Sequence, residues 1–175
     1  FITDDEKELL PTWLRFVRGV IDSSDLPLNV SREILQQNRV MSKIKSNSVK
    51  KVLDKIKTIS KNKDKYEGFY NEFGRLLKEG VYQEFEHKEA LTELLRFKST
   101  KEEGFVSLQD YLDRMSSDQE SIYYITGTNE SALRDSPLLE MYKEKDIEVL
   151  ILDDEIDEII MPSIPTFKEK SLKSV

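Results

Sequence analysis

The chain has 175 residues and a net charge of -7, with 38% hydrophobic and 35% charged residues and no cysteine. That length suits one domain or two small ones with a wet, charged surface. The composition excludes disulfides and thiolate metal sites, and no run approaches the ~18 apolar residues of a membrane span.

Phe1-Ile-Thr-Asp-Asp reads as the end of a strand, and with no start methionine the chain reads as a piece of a longer protein. Apolar residues at Leu9, Leu10, Trp13, Leu14, Phe16, Val17, Val20 and Ile21 then predict a helix over residues 6–21. Pro11 falls in its first turn and Trp13 in the core. Part of this stripe is expected to stay exposed and to drive self-association through residues 1–30. Asp22, Ser23, Ser24, Asp25 and Pro27 break the pattern, and the string SREILQQ opens the next one.

A long helix is predicted over residues 31–60, with Val40, Met41, Ile44, Val49, Val52, Leu53, Ile56 and Ile59 at three- and four-residue steps. Residues 39–65 carry +8, leaving -15 for the rest of the chain. A basic helix can bind nucleic acid or anionic membrane. No aromatic residue interleaves its lysines, so the stacking platform for single strands is missing and a solvated face is the better reading. Asn62 turns the chain into a second helix over residues 66–78, closed by Gly80. A third helix covers residues 87–95.

From Phe97 the texture is β-rich. IYYITG and EVLILD are short apolar strands separated by helical patterns at residues 108–115 and 133–142. Strands also fit residues 96–100 and, marginally, 172–175. Near-continuous apolar strands alternating with helices indicate a mostly parallel sheet covered on both faces. Asp153, Asp154, Glu155, Asp157 and Glu158 read as an acidic helix start that complements the helix dipole rather than as a calcium site.

Little of this carries chemistry by itself. Gly68, Gly74 and Gly80 match no phosphate-binding loop, His87 has no second histidine to share a metal, and no base is placed to activate a serine. Arg32 and Gln36 share a helix face four residues apart. Taken bare, they read as a helix start with Ser31 as N-cap and a solvent-facing arginine.

The run LPTWLRFVRGVIDSSDLPLNVSREILQQNRVM, residues 10–41, resembles the middle domain of the heat-shock protein 90 chaperones of the bacterial HtpG type. The likeness continues through YEGFYNEFGRLLKEGV, ELLRFKST, SLQDYLDRM, IYYITGT, SPLLE, EVLIL and IDE, in order, and so covers essentially the whole chain. The resemblance implies an α/β architecture in three parts. Residues 1–39 would end a larger αβα subdomain and carry a catalytic loop, 40–95 would form a three-helix connector, and 96–175 would form a small αβα subdomain.

It further implies that ATP, with Mg, is bound and hydrolysed by an N-terminal domain outside these residues, so that the chain alone is inactive. Arg32 would reach the γ-phosphate with support from Gln36, and Asn29 would brace the loop. Phe1 and Leu26 would dock the N-terminal domain, local packing being the alternative for those three. Glu158 and Ile159 would contact unfolded or partly folded clients. Many relatives carry an aromatic residue where Ile159 stands, and for Ile159 itself structural packing is the preferred reading over client contact. A homodimer formed through a C-terminal domain, a cytoplasmic location, and no metal, nucleic-acid or membrane partner complete the expectation. The competing readings are a purely structural module that transmits conformational change, and a nucleic-acid binder using residues 39–65.

Overall fold

A computed structural model describes residues 7–24 and 39–175. The chain divides into two compact units, 1–62 and 63–175, so the division falls inside the expected helical connector.

In the first unit the helix expected over residues 6–21 does not form across its described part, residues 7–21. A single 3-10 turn, Thr12–Leu14, stands in its place, with Leu14 N–H donating to the Pro11 carbonyl at 2.9 Å. Val17, Val20 and Ile21 are stiff at χ1, and Gly19 among them adds backbone entropy. The apolar spacing is helical there, but the residue types favour extended chain. Trp13 and Leu14 are fully buried, whereas Val20 is 96% exposed. Helix α1 (Arg39–Ser60) follows the expected period: Met41, Val49, Leu53 and Ile56 are buried along one stripe, while Lys43, Lys50, Lys51 and Lys55 are exposed.

The second unit begins with α2 (Lys63–Gln83), which runs through Gly80 instead of stopping there. Val81 is buried one turn beyond Leu77 and nothing after Gly80 breaks the helix, so packing outweighs the terminating tendency of glycine. Helix α3 (Lys88–Leu94) ends where the Tyr66 hydroxyl donates to the Leu94 carbonyl at 2.6 Å. Burial pushes the Tyr66 phenol up to about 12, with Arg96 opposing from 4.6 Å above the ring. Ser107 and Asp110 form a reciprocal cap on α4 (Leu108–Arg114).

Five strands form one sheet: β1 (Lys98–Ser99), β2 (Ser121–Thr126), β3 (Val149–Leu152), β4 (Thr166–Phe167) and β5 (Lys170–Ser174), ordered β1-β3-β2-β5-β4. The inner strands are parallel, with Tyr124 opposite both Leu150 and Ser174. Both edges are antiparallel, and the marginal segment near residue 172 turns out to lie inside the sheet. The helix expected over residues 133–142 is split by Pro137 into α5 (Glu130–Arg134), a 3-10 turn and α6 (Glu140–Glu144). Ile125, Val149 and Ile151 pack with Leu133 and Leu139 on one face. Ile122, Leu150 and Leu152 alternate to the other face and are equally buried, so the sheet is covered on both sides.

Candidate functional site

After β3 the chain enters α7 (Glu155–Ile160), the short helix that carries the acidic run. Asp154 caps it by accepting from Ile156 N–H at 3.2 Å, and the Asp157 carboxylate returns to accept from Asp154 N–H at 3.2 Å. Negative charge in this first turn also suits the helix dipole. Ile156 and Ile160, one turn apart, are buried, as is Met161 in the following 3-10 turn. Ile159 is 56% exposed, and Glu158 is exposed beside it. The core therefore does not take up Ile159.

Six residues cannot hold a helix by propensity alone. A buried ion pair to α2 supplies an anchor: Lys78 Nζ lies 2.7 Å from Asp157 Oδ1, and these side chains are only 9% and 1% exposed. Burial pushes the Asp157 carboxyl above its ordinary range, with the Lys78 ammonium and the Asp154 N–H opposing. Arg75 stands 3.6 Å from Asp154, but that pair is solvent-exposed and contributes little. The ammonium of Lys78 also lies 5.6 Å from the Phe97 ring centre.

Two further networks brace the sheet. Lys98 bridges Asp153 at 2.6 Å and Glu130 at 2.8 Å, and Arg134 joins Glu130 at 2.9 Å. Buried Glu148 accepts from Arg114 at 2.9 and 2.8 Å and from Ser99 Oγ at 2.6 Å. A groove of about 410 Å³ runs beside the exposed Phe85, between α3 and β4. Among the described residues no group of three His, Asp or Glu is placed to hold a metal, and no helix is long and apolar enough to cross a membrane.

Set beside known proteins, the chain matches the profile of the Hsp90 protein family over residues 1–175. The chain belongs to the Hsp90 family. It is 62% identical over 178 residues to the chaperone protein HtpG of Aliarcobacter butzleri, covering 100% of this chain and 28% of that protein. The HtpG of Treponema denticola is 61% identical over 179 residues, with 99% of this chain and 28% of that protein covered. The HtpG of Borreliella burgdorferi is 54% identical over 176 residues, covering 100% and 29%. The chain thus spans under a third of the length of these Hsp90 relatives.

Of the residues that the Hsp90 resemblance singles out, Glu158 and Ile159 stand side by side on the outer face of α7. Phe1, Leu26, Asn29, Arg32 and Gln36 lie outside the described residues. Sequence reasoning placed Asp157 only in the acidic helix start and passed over Lys78 and the pairing of the two. Their one signal is a lysine directly after the buried Leu77, on the apolar side of α2, where an unpaired ammonium would be expensive.

Proposed function

We propose that this chain is the middle-domain part of an HtpG-type chaperone, completing the ATPase site of an N-terminal domain and offering α7 to client proteins. Arg32 delivers its guanidinium to the γ-phosphate, Gln36 supports it, Asn29 braces the loop, and Phe1 and Leu26 dock the N-terminal domain. The observation that carries this reading is a family match that runs end to end through the SREILQQ string. Guanidinium donors compensate charge that develops on the transferred phosphoryl group, which is the physical role of an arginine finger.

ATP and its magnesium ion belong to residues outside this chain. Gly68 and Gly74 lie within the helix α2, where they form no phosphate cradle. The intact protein is read as a cytoplasmic homodimer that handles unfolded or partly folded polypeptides.

Arg32→Ala in the full-length chaperone tests the assignment. Turnover should fall roughly 10²-fold or more, less than the largest finger effects of 10³–10⁵ because the loop must first swing into place. ATP affinity should change far less, since a group acting on the transition state affects kcat rather than ground-state binding. Gln36→Ala should behave alike but more mildly. Weakened ATP binding with kcat spared would refute the role, and unchanged turnover would favour the structural module.

A further inference from the structure

The outward aim of Glu158 and Ile159 has a source on the opposite side of α7. Successive helical residues turn by about 100°. With Ile156 at zero, Ile160 lies at about 40°, Asp157 at about 100°, Glu158 at about 200° and Ile159 at about 300°. The buried residues Ile156, Ile160 and Asp157 therefore span one arc, and the exposed Glu158 and Ile159 span the arc opposite. The two isoleucines by themselves fix only the middle of the buried side. They leave α7 free to roll by some tens of degrees, because apolar contact is non-directional.

Asp157 marks the edge of the buried arc, and a lone buried carboxylate drives outward into water. Rolling it out would turn Ile159 inward, since Ile159 stands on the other flank of the isoleucine pair. Lys78, itself buried on α2, holds Asp157 at 2.7 Å and opposes that roll.

We propose that the Lys78–Asp157 pair is the positioning contact that sets the roll of α7 and so presents Glu158 and Ile159 to partly unfolded polypeptide. This inference rests on the proposed client surface. Lys78 touches no client in this arrangement. It acts through Asp157, whose carboxylate also closes the cap on Asp154 N–H.

The test uses the full-length chaperone and a permanently unfolded probe, reduced and carboxymethylated lactalbumin. Ile159→Ser checks the surface itself and should weaken probe binding roughly tenfold, equivalent to about 1.4 kcal/mol. Lys78→Met should weaken it about as much, and Lys78→Arg should retain most of it. A fluorescent reporter at Ile159→Trp, read against the parent protein, should emit at solvent-exposed wavelengths and shift to the blue when Lys78→Met is added. The double variant Lys78→Met/Asp157→Asn has no charge left to expose and keeps an amide oxygen to accept from Asp154 N–H, so it should recover both probe binding and the unshifted emission.

Undiminished binding by Ile159→Ser would remove the client surface and this inference with it. Loss of binding by Ile159→Ser, with wild-type binding and unshifted emission on Lys78→Met, would overturn the positioning role alone. A double variant that stays impaired would also overturn it, by showing that relief of the buried charge does not restore the roll.

Discussion

Alanine at Gly68 should stabilise the chain and alanine at Gly74 should not, although both positions lie inside the same helix, α2. Helix propensity treats them alike: replacing an interior glycine by alanine is worth about 1 kcal/mol. A methyl group at Gly68 meets nothing within 4 Å, so that gain should appear in full. A methyl at Gly74 would stand 2.7–2.8 Å from three atoms of the Tyr70 ring. That ring is 5% exposed, meets Phe105 edge-on at 5.3 Å, and has Tyr66 at 5.9 Å, so it has little room to retreat. Overpacking of this kind costs about 1–3 kcal/mol. Set against the propensity gain, Gly74→Ala should be neutral to about 2 kcal/mol destabilising. For a chain of this size that separates the two variants by several degrees, at about 2–4 °C per kcal/mol. Thermal melts of the 175-residue chain followed by circular dichroism measure it. Equal stabilisation by both substitutions would show that Tyr70 yields freely and would refute the packing argument.

Glu169→Gly should stabilise the β4–β5 hairpin by about 0.5–1 kcal/mol, because Lys168 and Glu169 hold φ of 46° and 69° in a turn that favours glycine. A lower melting temperature would count against this. Tyr111→Phe should cost about 1–3 kcal/mol in a denaturant titration. Its fully buried hydroxyl donates to the Glu148 carbonyl at 2.7 Å and accepts from Gln119 at 2.8 Å and Tyr123 N–H at 3.1 Å. The raised Asp157 carboxyl binds a proton in the folded state at pH values where the unfolded state, near 3.8, has lost it. Its contribution to stability therefore falls as pH rises from about 3.8 through the folded value, opposite to a typical salt-bridged aspartate. The melting temperature of the wild type relative to Asp157→Asn should accordingly decline as pH rises above about 4, and a rise instead would contradict the shift.

Long periodic stretches were legible without coordinates. The stripe through Met41, Val49, Leu53 and Ile56, and the apolar runs IYYIT and VLIL, each state their own burial, because a 3.6-residue or continuous apolar pattern admits few arrangements. The acidic start of α7 was equally plain, since its caps and dipole partners are local. Residues 9–21 misled because spacing suggested a helix while the β-branched residues and Gly19 opposed one. Pro137 and Gly80 show the same competition: the ring of proline broke its helix, and the packing of Val81 carried the other through glycine.

Family membership follows from order and identity of residues along the chain. The exposure of Ile159 does not. Ile160 beside it and Ile156 three residues before it are isoleucines that are buried, and a six-residue helix contains no instruction about its own roll. Lys78, a distant residue on α2, decides that roll through a buried charge pair. Local periodicity reports how much of a segment is buried, whereas the direction it faces depends on partners that only folding brings within a few ångströms.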